Sequence, residues 1–444
     1  MSLSTALFAA TGAMRVFERS LEVASTNVSN VNTPGYVKHR QEIISFRDGI
    51  SAGKVASSRN LYNESSVWQR QSGLAKSQQQ IDTLGQVEQA LPIGEGLGIA
   101  DSLNNFFTAF TQLSAAPNSI TGRQVVLNKA QTLANDFNTT ANRLARSSQF
   151  SEQEVSAVVS KINGVLADVA SFNKGVRSDS RVNEDGGVES RLFQSLESLS
   201  EYADFQALPQ DDGSVSVYLG GQSLGAIGDK NFAIKSVVVN NQVQIQDFDG
   251  KDISANFQSG KLAALLDFRN RQFPGYAADL DTLAASVADS VNTTLSAGLD
   301  LAGNPPAVNL FVYTPTQGAA FTLGLGGLLP EELAAASSGA PGGNGAALAV
   351  ADLAKQPQAN GYTFTQFYGT IASNVGGDIA SAKAEQTSGT QLLSQARTIR
   401  GDASGVSLNE EAAYVLQIQR GYEAVSKLMT VIRSLTDTVM GLIR

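Results

Sequence analysis

The chain has 444 residues, a formal net charge of −9 and an isoelectric point near 4.9. This length allows about two to four domains of ordinary size. The acidic balance argues against a nucleic-acid partner and against an anionic membrane surface, since both need clustered lysine and arginine. Cysteine is absent, which excludes disulfides, thiolate nucleophiles and cysteine-based zinc sites.

A hydrophobic repeat occupies the N-terminal segment. Its apolar residues follow one another in steps of four and three, a pattern typical of a helix that packs lengthwise on other helices. The predicted helix begins near Ser2 or Ser4 and ends near residues 30–32, before Thr33-Pro34-Gly35. No positive charge precedes its apolar start, so we expect no cleaved signal peptide. The repeat consists of Leu3, Leu7, Ala10, Met14, Phe17, Leu21, Ala24, Val28 and Val31.

The segments that follow predict a mostly helical body. Residues 36–46 alternate in part and indicate an extended segment. Residues 127–172 keep the four-three step for about six heptads and predict one long rod-like helix. Further helices are predicted at residues 65–91, 103–113, 188–202, 259–299 with a kink at Pro274, and 362–396. No apolar run reaches the length of a membrane helix, so we expect no membrane insertion.

The periodicity changes to alternation between residues 203 and 257. Runs of β-branched residues alternate there with short turn signals, which predicts a small antiparallel β unit. Two more strands are predicted at residues 310–313 and 321–325, inside a segment rich in Gly, Ala and Pro. The turn signals are Asp212-Gly213, Gly220-Gly221, Asn240-Asn241 and Asp249-Gly250.

A second four-three repeat occupies the C-terminus, after a predicted helix break at residues 401–405. Leu428, Leu435 and Leu442 add a stripe beside this repeat, so the apolar face is wider than a two-helix contact needs. We therefore expect the two terminal helices to pack together above paired hinges and to join a larger assembly. The repeat consists of Val415, Ile418, Tyr422, Val425, Met429, Ile432, Thr436, Val439 and Ile443.

These patterns predict a mainly α protein with a smaller β portion. It has a long helical bundle or coiled-coil body, N- and C-terminal helices packed together, and an inserted antiparallel β domain. The predicted polymerisation domain comprises residues 1–35 and 406–444. The helical body comprises residues 36–202, 258–300 and 346–405, and an outer β-rich domain comprises residues 203–257 with part of 301–345.

The chain offers little for catalysis. His39 is the only histidine, which excludes triads with a histidine base and multi-histidine metal sites. We expect it to be solvent-exposed beside Lys38 and Arg40. The segment 247–252 approaches a calcium-loop pattern, but its twelfth position is Gln258 instead of glutamate. We predict no enzyme activity, no cofactor and no metal.

Two polar groups adjoin the predicted hinges. Glu410 and Glu411 fit the first turn of the last helix, where carboxylates favour the positive end of the helix dipole. Asn27, Asn30 and Asn32 lie where the first helix must end and turn, and they could serve either the fold of the subunit or contacts between subunits.

Both ends of the chain carry family signatures. Residues 24–36, ASTNVSNVNTPGY, resemble the N-terminal signature of the bacterial flagellar rod, hook and hook-associated proteins. Residues 406–412, VSLNEEA, and 417–424, QIQRGYEA, are similar to their shared C-terminal signature. The interior resembles the body of the hook-associated protein 1 family in residues 103–113, 117–119 with Arg123, 263–271, Asn292 and Gly298. The region between body and tail is short, so an outer domain is reduced or lacking.

The resemblance implies a non-enzymatic, extracellular subunit that forms a ring between hook and filament. It implies export through the flagellar type III apparatus without a cleaved signal, and a chaperone that holds the C-terminal segment beforehand. The implied partners are the subunit itself, the hook protein and the next hook-associated protein on the filament side. A rod or hook subunit, or a secreted adhesin or enzyme on flagellar-like ends, is the alternative.

The residues predicted to carry subunit assembly lie in the two terminal segments. They are Leu3, Leu7, Met14, Phe17, Leu21, Val28, Asn30, Pro34, Gly35, Leu408, Val415, Ile418, Tyr422, Val425, Leu428, Met429, Ile432, Leu435, Val439 and Leu442.

Overall fold

The structure is a computed structural model that describes residues 2–33, 35–47, 49–92, 98–179 and 186–442. The mainly α class is confirmed, since 67% of the structure is helical. The helices in the described residues are α1 (Leu3–Ser29), α2 (Leu61–Ala90), α3 (Gly98–Ala115), α4 (Ile120–Ser178), α5 (Gly186–Tyr202), α6 (Gly260–Asp267), α7 (Phe273–Ser296), α8 (Ala319–Thr322), α9 (Gly345–Leu353), α10 (Phe364–Ser404) and α11 (Leu408–Leu442).

The strands form small antiparallel sheets. One sheet has the order β3-β4-β5-β6, and the pairs β1-β2, β7-β8, β9-β12 and β10-β11 are separate ladders. The strands are β1 (His39–Phe46), β2 (Gly49–Ser57), β3 (Phe205–Pro209), β4 (Val215–Leu219), β5 (Ser223–Ile227), β6 (Lys230–Asn231), β7 (Lys235–Val239), β8 (Gln242–Gln246), β9 (Gly298–Leu299), β10 (Phe311–Val312), β11 (Gly324–Leu325) and β12 (Ala336–Ser337).

The long helix α4 joins two hydrophobic cores. Its first half, around Phe137, packs with α3, α7, α9 and the start of α10. Its second half, around Ile162, packs with α5, α6 and the β3-β4-β5-β6 sheet. Among the described helices it is also the one long and apolar enough to cross a membrane, and nearly half of that apolar stretch is buried inside the protein, as in a core helix.

The segment after α1 is a β-hairpin, of which the sequence predicted only the first strand. The second strand, β2, is rich in small residues and lacks the alternation that signals a strand. Its backbone lies directly on α1: a Cβ on Gly12 would be 2.5 Å from the carbonyl oxygen of Ile50, and Gly49 faces Ala9. The position of β2 is therefore determined by its close packing on α1 and not by a strand pattern in the sequence.

The interruption between α6 and α7 differs from the predicted proline kink. A π-helical segment, Phe268–Gln272, precedes Pro274. It turns two neighbouring side chains towards the β7-β8 hairpin: Arg269 donates to the carbonyl oxygen of Asn241 at 2.9 Å, and Asn270 pairs with Val243. π-helical turns are a recognised cause of helix irregularity. The hairpin is thereby pinned to the helix.

Two boundaries in the C-terminal half were predicted wrongly. The break expected at residues 401–405 lies at residues 405–407 instead, because α10 continues to Ser404 and α11 begins at Leu408. The N–H of Gly405 closes the last turn on the carbonyl oxygen of Gly401 at 2.8 Å. Phe321, expected in a strand, lies in the short helix α8 instead.

In the part of the chain that the structure describes, five asparagines attach helical segments to extended backbone in the same way. Each side-chain amide accepts the N–H and donates to the C=O of a single residue, at 2.8–3.0 Å, as a neighbouring strand would. The backbone groups at these positions are thereby paired without a further strand. The pairs are Asn27 with His39, Asn163 with Ile234, Asn173 with Val215, Asn270 with Val243, and Asn292 with Phe311.

Candidate assembly site at the terminal helices and their hinge

The terminal helices α1 and α11 pack against each other, as predicted. Asn27 contacts Glu411, and the Phe17 ring lies over Gly421, so the two helices run antiparallel. A Cβ on Gly421 would lie 2.7 Å from the ring. This glycine therefore sets the close approach of the two helices.

On α11 the buried side follows the predicted repeat. Ile418 and Ile432 are buried, and Val415, Val425 and Met429 are partly buried. The other predicted positions lie outside this contact: Leu408, Tyr422, Leu428, Leu435 and Val439 are exposed. The side chain of Leu442 lies outside the described residues.

On α1 the predicted repeat agrees only in part with the buried face. Ala10 and Ala24 of the repeat are buried, but the other buried positions are Val16, Ser20, Val23 and Asn27, each one residue before a predicted position. The predicted Leu3, Leu7, Leu21 and Val28 are exposed, whereas Met14 and Phe17 are partly buried. The helix divides its surface between α11 and the β1-β2 hairpin, a partner that the sequence did not reveal.

The end of α1 is capped locally. Asn30 donates to the carbonyl oxygen of Thr26 at 2.9 Å and accepts from the hydroxyl of Thr33 at 3.1 Å. Gly35 adopts a positive φ of 74°, and its carbonyl oxygen accepts from Arg59 at 2.9 Å. Pro34 lies outside the described residues. The turn is thus fixed to the body through Arg59.

The hinge comprises residues 30–33, 35–38 and 405–407, and Asn27, in the last turn of α1, contacts both of its sides. Its Oδ1 accepts from the His39 N–H and from the Tyr36 hydroxyl, both at 3.0 Å. Its Nδ2 donates to the His39 carbonyl oxygen at 2.8 Å and to Oε2 of Glu411 at 3.2 Å. These are all four hydrogen bonds that an amide side chain can make. Asn27 therefore bridges α1, β1 and α11, a role that its position near a helix end did not reveal.

A second link joins Lys38, the residue before β1, to the start of α11. The Nζ of Lys38 lies 2.7 Å from Oε2 of Glu410 and 3.1 Å from Oε1 of Glu411. Burial lowers the pKa of Lys38, but the two carboxylates raise it to a net value above the ordinary one. The Lys38 N–H also donates to the carbonyl oxygen of Ser404 at 2.9 Å. The segment before β1 and the segment between α10 and α11 are therefore linked to each other.

The predicted exposure of His39 is wrong, because the ring is only 4% exposed. Its Nδ1 lies 2.9 Å from the Val37 carbonyl oxygen, and its Nε2 lies 3.2 Å from Oε2 of Glu189. A Cβ on Gly186 would be 2.7 Å from the ring, so the absence of a side chain there makes room for the imidazole. The β1-β2 hairpin places His39 beneath α5, and no local pattern in the sequence indicates that the ring is buried there.

Charged side chains continue from His39 into the body. Arg59 contacts both Glu189 (3.2 Å) and Glu64 (2.6 Å), and Arg400 contacts both Glu64 (3.1 Å) and Glu197 (2.7 Å). Pairing of this kind offsets the desolvation free energy that a buried, unpaired charge would cost. We call the following set the hinge network: Lys38, His39, Arg59, Glu64, Glu189, Glu197, Arg397, Arg400, Glu410 and Glu411.

Two carboxylates of the hinge network, Glu189 and Glu197, have a pKa below the ordinary value. Burial raises the pKa of Glu189, but the hydrogen bond from His39 and the charge of Arg59 lower it below its usual value. The same balance holds at Glu197, where burial is outweighed by Arg400 and Arg397 and the net pKa is lowered. The network can therefore orient helices by charge, and among the described residues no cluster of His, Cys, Asp or Glu could hold a metal ion.

Comparison with known families matches both the body and the tail. Residues 84–311, just over half of the chain, match the family model described as the helical domain of the flagellar hook-associated protein FlgK. Residues 402–442 match the model described as the C-terminal part of the flagellar basal body rod FlgEFG protein.

Individual relatives agree with these matches. Flagellar hook-associated protein 1 of Bacillus subtilis is 22% identical, over 97% of this chain and 96% of that protein. The Escherichia coli protein of the same name is 23% identical over 68% of this chain, which spans 59% of its length. The flagellar hook junction protein FlgK of Burkholderia pseudomallei has the same fold, with a TM-score of 0.70 at 15% identity over 77% of this chain and all of that one. The chain therefore belongs to the flagellar hook-associated protein 1 (FlgK) family, whose members are structural proteins of the bacterial flagellum.

Proposed function

We propose that this chain is the adaptor between hook and filament and that it assembles with other subunits through α1 and α11. The observation that carries the proposal is the uncovered apolar face of α11. Leu428 is 50% exposed and Leu435 49% exposed, and Leu416, Val431 and Met440 are similarly open. An exposed apolar face of this kind is typical of a surface that another protein covers.

The energetics of α11 support the same proposal. Among its described side chains, only Ile418 and Ile432 are buried apolar residues. Each buried large side chain contributes about 1.5–3 kcal/mol, whereas ordering each residue costs about 1–2 kcal/mol of backbone entropy. α1 alone therefore gives α11 too little burial, and neighbouring subunits are the natural source of the remainder.

The three parts of the chain take separate roles in this proposal. Residues 1–35 and 406–444 polymerise. Residues 36–202, 258–300 and 346–405 form the body that contacts the hook protein and the next hook-associated protein. Residues 203–257, with part of 301–345, face outward. The subunit acts outside the cell without catalysis, after export without a cleaved signal and with a chaperone on its C-terminal segment.

The test removes the apolar face without touching the buried seam. A Leu428→Ser/Leu435→Ser variant is compared with Leu329→Ser/Leu348→Ser, which changes two exposed leucines of the body. Incorporation at hook tips is scored by electron microscopy in cells that lack their own copy of the protein. We expect the first pair to abolish incorporation while the thermal unfolding of the purified subunit is unchanged, and the control pair to incorporate normally.

Two outcomes would overturn the proposal. One is wild-type incorporation of the Leu428→Ser/Leu435→Ser variant. The other is assembly on hooks by a chain that lacks residues 1–31 or 408–444, since either truncation removes one of the two helices that the proposal requires.

A further inference from the structure

An asparagine that is followed by glycine is chemically labile, and this chain contains three such pairs. The side-chain carbonyl carbon of the asparagine lies within reach of the backbone nitrogen of the next residue, and glycine has no Cβ to obstruct the approach. The three asparagines are Asn163, Asn344 and Asn360. Because their local chemistry is the same, a difference in reactivity between them depends on the surrounding structure.

Two of the three asparagine amides are held by hydrogen bonds. Asn163, inside α4, accepts from the N–H of Ile234 and donates to its carbonyl oxygen, both at 2.9 Å. Asn344 precedes the first residue of α9 and donates to the carbonyl oxygen of Ser114 at 2.8 Å. A reaction at either side chain requires these hydrogen bonds to break and part of a helix to open.

Asn360 lies in an exposed turn between α9 and α10. Asn360 and Gly361 both have a positive φ, of 48° and 84°, as in the two-residue turns of β-hairpins. Tyr362 closes the turn, since its N–H donates to the carbonyl oxygen of Ala359 at 2.9 Å and its own carbonyl oxygen accepts from the Ala359 N–H at 3.1 Å. Within the described residues, neither the Asn360 side chain nor the Gly361 N–H forms a hydrogen bond.

This turn can open without unfolding the body. On its two sides Ala359 and Phe364 are each 1% exposed and belong to the hydrophobic core that α3, α7 and α9 share. Asn360, Gly361 and Tyr362, which lie between them, are exposed. A brief rotation out of the left-handed geometry therefore breaks only the hydrogen bonds of the turn, and it brings the Gly361 nitrogen to Cγ of Asn360.

We propose that Asn360 is a site of spontaneous deamidation in the folded subunit, whereas Asn163 and Asn344 are protected. The Gly361 nitrogen gives up its proton and attacks Cγ of Asn360, so that an N–Cγ bond forms and Nδ2 leaves, with that proton, as ammonia. Water then opens the cyclic imide. Hydrolysis at Cγ gives aspartate, and hydrolysis at the main-chain carbonyl carbon gives isoaspartate. Water is consumed and ammonia is released, with no change of oxidation state.

The two products affect the turn differently. Aspartate adds a negative charge and leaves the backbone as it was. Isoaspartate carries the main chain through Cβ and Cγ and so lengthens it by one carbon, which is incompatible with the paired hydrogen bonds between Ala359 and Tyr362. Neither product alters α1 or α11, so the modification does not depend on the proposed assembly surface.

The first test follows all three asparagines in one experiment. The purified full-length protein is incubated at mildly alkaline pH, in buffer and in urea, and peptides are mapped by mass spectrometry with fragmentation that distinguishes aspartate from isoaspartate. In buffer we expect Asn360 to react at least about tenfold faster than Asn163 and Asn344, because their hydrogen bonds must break first. In urea the three rates should converge. Equal rates in buffer would overturn the proposal, and so would an Asn360 that survives in buffer but reacts in urea.

The second test measures hydrogen exchange at the Tyr362 amide, which closes the turn. Incubated wild-type protein should contain a fraction in which this amide exchanges at least about tenfold faster. Asn360→Asp carries the charge without the extra carbon and should keep the slow exchange. Incubated Asn360→Gln should show no fast fraction, because its longer side chain must close a larger ring. A fast fraction in Asn360→Gln, or its absence from wild-type protein that contains isoaspartate, would contradict the assignment.

Discussion

Replacing Asn27 with alanine tests the central link of the hinge. The amide is 1% exposed and makes four hydrogen bonds, one of them to the carboxylate of Glu411. Each neutral bond contributes about 0.5–1.5 kcal/mol and a bond to a charged group about 1.5–3 kcal/mol. Alanine also leaves the backbone N–H and C=O of His39 buried without partners. We therefore expect a loss of about 3–5 kcal/mol from the unfolding free energy of the terminal helices.

The assay separates the terminal helices from the body. Urea unfolding is followed by circular dichroism, which sees all helices, and by the fluorescence of Trp68, the only tryptophan, which is buried in the second core. In Asn27→Ala the helical signal should begin to fall at much lower urea, while the Trp68 transition changes little. The control is Asn128→Ala on the exposed side of α4, which should change stability by less than about 0.7 kcal/mol. A shift in Asn27→Ala no larger than in the control would refute the reasoning.

Two further predictions concern the helix contact and the acid limit of stability. Gly421→Ala places a methyl group against the Phe17 ring and should destabilise the terminal pair by about 1–3 kcal/mol. The control is Gly441→Ala, whose methyl group meets open space and which should be neutral or stabilising by up to about 1 kcal/mol. Equal melting temperatures in the two variants would contradict this prediction. The lowered pKa of Glu197 means that its contribution is present above about pH 4.3, the ordinary glutamate value, and is lost as the pH falls further. Glu197→Gln should therefore reduce stability at neutral pH but flatten its decline between about pH 4.5 and 3, measured by urea unfolding at each pH, and an unchanged decline would be evidence against the assignment.

The long helices were predictable because their apolar spacing is regular and uninterrupted. α4 carries its stripe through both cores, and the terminal repeats each specify one helix. These segments bury a single face over many turns, and the helical period is visible whatever covers that face. The pairing of α1 with α11 followed for the same reason.

The features that the sequence hid depend on contacts between distant segments. β2 is a strand because α1 offers glycine at Gly12 where the strand backbone must approach. α10 passes through Gly401 because it packs on α2 over most of its length, which outweighs the helix-breaking tendency of glycine. The burial of His39 depends on the hairpin, on α5 and on the space left by Gly186. None of these conditions is local to the residue that it governs.

The hinge combines two kinds of linkage that respond differently to perturbation. Asn27 joins α1 to β1 through two neutral amide bonds with His39, whose directions do not depend on pH, and joins α1 to α11 through its bond to the Glu411 carboxylate. The hinge network adds charged links, one set from Lys38 to the start of α11 and another among α2, α5 and α10. The strength of such links varies with protonation. The two kinds of link therefore differ in their response to acid. The charged links of Glu189 and Glu197 weaken as these carboxylates are protonated, whereas the amide bonds between Asn27 and His39 still hold α1 and β1 in register.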